Sequence, residues 1–312
     1  MISKLAGEVI PSDLDETLRA GFYKVLRKEH ETEAALHQPS GRLSAGQLSK
    51  PLLEQILKIV GVPPKPVDDY TLGQFARGDA VEEWVIHCLE PEKTQVEVKY
   101  RNAVGFIDAI KNDDVFEVKS IKNSAVRYID PENTKRTRRD GELVPEYSGP
   151  KYKDALQGGF YAAAKKRPYF WIIYVATDDL RTYPHKIETD LIKPEIDRII
   201  SEVARQLKTG TLPRWQEREE WQRKYPKYNN YPEWVELEPD LATEKLKRQY
   251  PEAYKKLIAF GKGVKNASKN TGTKTKRGPV PKRPSRAGHK PKKTPGGRSE
   301  NGHGSIPTKT TK

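Results

Sequence analysis

Three charged side chains stand inside an otherwise apolar stretch. The segment VGFIDAIKNDDVFEVKSIK, residues 104–122, carries Asp108, Glu117 and Lys119 on either side of the polar KNDD. It reads as two short strands joined by a turn. Side chains alternate across a strand, so Glu117 and Lys119 share a face, while Phe116 and Val118 point the other way, into the core. Asp108, near the end of the preceding antiparallel strand, can reach the same spot. Two carboxylates and a backbone carbonyl make a hard oxygen site of the kind that Mg²⁺ or Mn²⁺ takes. Such an ion polarises a phosphoryl oxygen, stabilises a leaving oxygen and lowers the pKa of a bound water. A lysine beside it can orient or help deprotonate that water and offset charge in the transition state. The combination suits phosphodiester hydrolysis. The competing reading of Glu117 and Lys119 is the solvated face of an edge strand. Glu97-Val98-Lys99 repeats the Glu-x-Lys pattern on the preceding strand, but with Cys88 and His87 where an aspartate would be needed upstream.

Two other segments offer groups to the same place. In RGDAVEEWV, Gly78 allows close backbone approach, and Glu82 or Glu83 could look down on the sheet end and complete a metal site. Acids are also common on exposed helix faces. In LQGGFYAAA, Gln157 and Tyr161 stand four apart and so share a helix face. Gln157 could hydrogen-bond a water or the lysine region, and Tyr161 could contact a phosphate or serve as a core aromatic. His87 and Cys88 close the helix before the strands, where a packed histidine and a buried thiol are expected rather than ligands.

The positioning elements follow from periodicity. Ser12, with Asp15 three residues on, caps a helix to about Leu36. Ser44 to Val60 reads as a second helical segment, GVPPKPVDD as a linker, and Leu72 to Leu89 as a helix. Gln95–Arg101, Ala103–Ile110 and Val115–Ser120 read as a three-strand meander. The polar stretch Asn123–Lys151 shows no convincing element, which marks a functional or mobile loop. Tyr152–Lys165 is a helix, Tyr169–Ala176 a strand, Arg181–Glu188 its hairpin partner and Leu191–Leu207 a helix. Trp215–Phe260 is mostly helical. This order predicts an α/β fold with a mixed sheet covered by helices.

Charge is unevenly distributed. The 312 residues hold 57 Lys plus Arg and 43 Asp plus Glu, a net charge of +14. Fifteen of those bases and one acid, Glu300, fall between Lys262 and Lys312, so the rest of the chain is neutral overall. That Lys-, Pro-, Gly- and Ser-rich tail lacks the apolar groups to offset its ordering entropy and is expected to be disordered. A polycationic tail suits a phosphate backbone; a solubilising or localisation signal is the plainer reading. The single cysteine excludes a disulfide framework and a cysteine-rich zinc or iron–sulfur site. No run of 18 apolar residues suggests a membrane span. The first residues, MISKLAGEVIPSDLDE, lack the pattern of a secretory signal, so a cytoplasmic setting is expected, that of the host if the protein is viral.

Together, RGDAVE, GFID, FEVKS and QGGFY occur in the order and spacing of the PD-(D/E)XK nuclease superfamily. They resemble its RecB-like and lambda-exonuclease-like branch over roughly Leu72 to Glu188. The resemblance implies a restriction-endonuclease-like core. It makes Asp108 and Glu117 metal ligands, Lys119 the catalytic lysine, Glu82 the first-helix ligand, and Gln157 and Tyr161 supports for the substrate. The Val118 carbonyl is expected as an extra ligand. Ile107 stands where the superfamily has its proline, and the cysteine cluster of the iron–sulfur branch is absent. The implied protein is a Mg²⁺- or Mn²⁺-dependent DNA nuclease, in the first place an exonuclease, of phage or mobile-element type. It would work in recombination, repair or end processing, with DNA and a single-strand-annealing or other recombination protein as partners. Lys135, Arg136, Arg138 and Arg139 would grip the strand. The regions expected are 1–66 helical, 67–210 nuclease core, 211–261 helical extension and 262–312 tail. A catalytically inactive DNA-binding protein of the same fold, or a structural protein binding nucleic acid through its tail, are the alternatives.

Overall fold

The KNDD segment sets the turn on which the sheet is built. Asn112 and Asp113 both adopt left-handed φ, 49° and 67°, as a two-residue type I′ hairpin turn requires. The computed structural model describes residues 12–36, 41–139, 142–216 and 230–263. The chain divides into two units, Met1–Asn266 and Ala267–Lys312, and the second lies wholly outside the described residues, as does the expectation of a disordered tail there.

The strands are β1 Leu43–Ser44, β2 Lys93–Tyr100, β3 Ala103–Lys111, β4 Asp114–Ile121, β5 Arg136–Arg139, β6 Glu142–Pro145, β7 Tyr169–Ala176 and β8 Thr182–Glu188. The helices are α1 Ser12–Leu36, α2 Leu52–Val60, α3 Asp69–Leu89, α4 Asn123–Ile129, α5 Tyr152–Lys165, α6 Thr189–Thr209, α7 Pro239–Gln249 and α8 Pro251–Gly261. A mixed six-stranded sheet runs β1-β3-β4-β7-β8, with β2 on the other edge of β3. The β1–β3 and β4–β7 pairs are parallel and the others antiparallel. This is the mixed α/β architecture, a central sheet flanked by helices, that the strand and helix order predicts.

Helices cover both faces. On one, α5 lies against β2, β3, β4 and β7 and is backed by α6. Gly158 makes that seat possible, because a Cβ there would stand 2.6 Å from the Phe170 ring. This face holds the main core, in which Leu53, Ile56, Ile107, Leu156, Phe160, Phe170, Ile199, Trp234 and Leu257 pack as one cluster. Helix α2, the sheet and the C-terminal helices α7 and α8 therefore share one hydrophobic interior. On the other face, α3 packs Val81 and Val85 onto Val118 and Val175 in a small second cluster. Asp68 starts α3 by accepting the Thr71 amide at 2.7 Å, which places the helix three residues earlier than the apolar periodicity suggests. Val118 thus points away from the main core, and Phe116 stacks on Trp171 at 6.4 Å. Of the two expected to enter the core, Val118 enters only the smaller cluster and Phe116, half-buried, enters neither.

Three other expectations are corrected. Ser44–Val60 is not one helical segment: Leu43–Ser44 pairs with Ala103–Val104, and α2 begins only after Pro51. Proline lacks the amide needed inside a helix and disfavours helical geometry in the residue before it. Asn123–Lys151 is not structureless either. It contains α4 and the two-stranded β5–β6 sheet, which a hydrogen bond from the Ser148 amide to the Tyr128 carbonyl ties to the end of α4. Cys88 is exposed at the end of α3, against the expectation of a buried thiol. Among the described residues no helix is long and apolar enough to cross a membrane.

Candidate active site

The site lies where β3 and β4 part. Their ladder runs from the turn through Lys111–Asp114, Ile110–Val115 and Ala109–Phe116 and then stops. Beyond it, β1 takes the place of β4 beside Ala103 and Val104. The next opposed pair would be Asp108 and Glu117. Asp108 Oδ2 instead accepts the Val118 amide at 2.8 Å, so a side chain replaces the missing backbone bond. Along a strand the amide and carbonyl of one residue point the same way, so the Val118 carbonyl is directed into the same gap. The irregularity crosses β3. Its ladder with β2 passes from Thr94–Ala109 to Val96–Ile107, skipping Gln95 opposite Asp108, and Gln95 has φ 50°.

Glu117 and Lys119 rise beside this gap on the main-core face. Glu117 is 0% exposed. Its Oε1 forms an ion pair with Lys119 Nζ, and its Oε2 is buried with no hydrogen-bond partner among the described residues. Asp108 is also buried. Burial raises the pKa of both acids, and Lys119 partly offsets the rise in each. Burial alone would lower Lys119, but Glu117, Asp108 and Asp154 reverse it and hold the ammonium well above its ordinary range. Glu97 and Lys99, the other Glu-x-Lys, pair at 3.4 Å on the exposed edge strand β2.

Glu82 is on the flank of α3 nearest the gap and accepts Gln95 Nε2 at 2.7 Å, while Glu83 is exposed. Burial and then Asp108 push the Glu82 carboxyl up to about 7, against the pull of Lys119. Its charged neighbours are Asp108, Lys119 and Asp79, whereas those of Glu117 are Lys119, Asp108 and Asp154. Asp108 is thus common to two acidic groups approaching the gap from different sides. No three His, Cys, Asp or Glu side chains are grouped into a ready metal cage among the described residues. The donor set nonetheless fits a divalent cation: hard oxygens only, a carboxylate oxygen buried without a partner, and three carboxylates against one ammonium.

Helix α5 closes the main-core side. Gln157 Nε2 donates to the Tyr161 hydroxyl at 2.9 Å. Tyr161 is buried, edge-on to Phe160. Its hydroxyl also meets the Phe106 backbone of β3, and so braces the helix against that strand instead of facing open space. Gly105, in GFID, admits this ring: a Cβ there would stand 2.6 Å from Tyr161 and 2.8 Å from Ala45. The sequence reading missed Asp154. This buried residue precedes Gln157 by three and Tyr161 by seven, so all three share one helix stripe. That spacing was the available signal.

The basic residues are not brought to this centre by any described hydrogen bond or ion pair. Lys135 and Arg136 are exposed at the start of the β5–β6 hairpin, where Arg136 donates to the Leu143 carbonyl at 2.7 Å. Arg138 and Arg139 pair in the ladder with Leu143 and Glu142.

No family model matches the chain, and no curated protein matches it. Among solved structures, the chain is similar to an alkaline exonuclease (LHK-Exo) from Laribacter hongkongensis, with TM-score 0.37 and 15% identity over 61% of this chain and 96% of that one. The structure of LHK-Exo in complex with dAMP gives the same score and identity over 95% of its chain. SSO0001 gives TM-score 0.43 and 16% identity over 65% of this chain and 91% of that one.

Proposed function

We propose that this protein is a nuclease that hydrolyses phosphodiester bonds in DNA with Mg²⁺ or Mn²⁺, working from strand ends in recombination, repair or end processing. One observation carries the reading: the sheet opens at Asp108 and Glu117, and the opening holds a buried carboxylate oxygen without a partner among the described residues beside the half-buried Lys119 ammonium. A fold spends stability to keep such a group, and functional sites are where that cost is met. The order of RGDAVE, GFID, FEVKS and QGGFY, similar to that of the PD-(D/E)XK nucleases, supports the same reading.

Asp108, Glu117 and the Val118 carbonyl would hold the ion, with Glu82 the third carboxylate on the far side of Asp108. Bound there, the ion would supply Lewis acidity toward the scissile phosphate and its attacking water. Lys119, kept as an ammonium by its carboxylate neighbours, acts as a donor: it orients the attacking oxygen and offsets charge gathering on the phosphate oxygens. The water oxygen bonds to phosphorus as the bond to the ester oxygen breaks; the attacking water loses its proton to solvent, and the departing oxygen takes one from solvent. Glu117 places Lys119, and Gln157 and Tyr161 fix α5 above it. Lys135, Arg136, Arg138 and Arg139 grip the strand.

The test is incubation of the protein with linear, circular and single-stranded DNA in Mg²⁺, Mn²⁺ or EDTA, beside Asp108→Ala and Lys119→Ala. Loss of linear but not circular DNA in metal, absent in both variants, is expected. If wild type cuts nothing in either metal, the nuclease reading fails. The concentration of fifteen bases in residues 262–312 favours one second reading, a protein that binds nucleic acid through its tail. DNA binding without cleavage, abolished by truncation before Lys262, would establish it.

A further inference from the structure

Asp154 lies in the first turn of α5 and is 2% exposed. Its Oδ2 accepts the Tyr174 hydroxyl at 2.9 Å, and that hydroxyl accepts the Lys151 amide at 2.9 Å. Tyr174 is the direct partner of Lys119 across the parallel β4–β7 ladder, so the two side chains rise together on the main-core face. A line of contacts therefore runs from the head of α5 through Tyr174 to the strand position of the lysine.

We propose that Asp154 is a positioning residue for Lys119: with Tyr174 it forms the wall of the site opposite Glu117, and its charge holds the ammonium aimed into the gap between β3 and β4. This rests on the nuclease reading above. The Tyr174 hydroxyl alone would be satisfied by any neutral acceptor. A carboxylate buried to this degree is costly unless a cation answers it. Lys119, half-buried on the same face, is the cation paired in the ladder with the tyrosine that Asp154 holds. Lys151 also feels Asp154, but it heads the helix and is exposed. Glu117 by itself would draw the ammonium toward β3 and Asp108. A second carboxylate on the α5 side counters that pull and leaves Nζ a donor for a third oxygen.

The test compares full-length wild type, Asp154→Asn, Tyr174→Phe and Lys119→Ala in Mn²⁺ on linear duplex DNA. Asparagine keeps the acceptor for Tyr174 and removes only the charge. Asp154→Asn is expected to lower kcat by roughly 10- to 100-fold, the usual effect of losing a group that orients a reacting one, with KM within about twofold of wild type and an unchanged melting temperature. Tyr174→Phe should give a smaller fall in kcat in the same sense. The ¹³Cε signal of Lys119, assigned by its loss in Lys119→Ala, should shift in Asp154→Asn without metal or DNA. An active wild type with kcat of Asp154→Asn within twofold of it, or with the loss appearing in KM, overturns the inference and leaves the nuclease reading standing. An inactive wild type removes both.

Discussion

At Asp108 one carboxylate oxygen is already committed to the Val118 amide, which fixes the side chain in the plane of the sheet before any ligand arrives. Glu117, one register step away, keeps an oxygen unpaired in a fully buried setting. Crowded acids of this kind destabilise a protein that lacks the cation they suit. Asp108→Asn is therefore expected to abolish cleavage and yet raise the melting temperature in EDTA at pH 7.5, by roughly 2–4 °C for each kcal/mol of relieved repulsion. Calorimetry beside a cleavage assay checks both halves. The same crowding sets a pH dependence. Burial and Asp108 hold Glu82 up to about 7 from an ordinary 4.5, so between those values the native state binds more protons than the unfolded chain. Stability then falls as pH rises through that window and levels off above it. Asp108 and Glu117 act with the same sign, from their own ordinary values upward. Denaturant titrations in EDTA from pH 4.5 to 8 should show the fall, and millimolar Mg²⁺ or Mn²⁺ should reverse it at the upper end.

The site exists because β4 leaves β3 and joins β7 instead. Periodicity marks both strands and their turn in the sequence, but the parting of two strands leaves no periodic trace. It follows from β1, a two-residue strand inside a segment that reads as helix, occupying the edge of β3. Glu97 and Lys99 make the same point from the other direction. Their local pattern equals that of Glu117 and Lys119, and only the place of each strand in the sheet separates an exposed ion pair from one whose carboxylate is fully buried. Gly105 ties this fork to α5. Gly105→Ala would drive a methyl into Tyr161 and Ala45, an overpacking that typically costs about 1–3 kcal/mol. Because the displaced strand carries Asp108, activity at low temperature should fall further than stability does. Residues Asn123–Lys151 read as a loop because α4 and the β5–β6 hairpin are dense in charge and too short for periodicity to register.

At the scale of the molecule, one core joins segments distant in sequence. Trp234, fully buried, packs in the same cluster as Leu53 and Phe160, and the Tyr231 hydroxyl donates to the Val62 carbonyl at 2.9 Å. Trp234→Ala should cost about 3–5 kcal/mol and shift the unfolding of the whole core as a single transition, followed by far-UV circular dichroism. The tail is separable by charge. Removal of residues 264–312 should leave that transition in place, weaken DNA binding and flatten its salt dependence, since every phosphate the tail no longer neutralises takes roughly 0.9 off the slope of log K against log salt. Unchanged binding across 50–200 mM salt would deny the tail a part in holding DNA.

The sequence by itself determined the sheet's strongest strands, most of the helices that cover it, and Asp108, Glu117 and Lys119 as its candidate site. These are local properties: alternation, helical period and turn chemistry act within about ten residues. The tertiary structure alone decided that β3 and β4 separate beside those residues, that Glu82 and not Glu83 turns toward them, and that Asp154 and Tyr174 stand behind Lys119. Such contacts join α3, α5 and β7 to the gap across dozens of residues, and they are set by which faces pack, a choice no local pattern encodes.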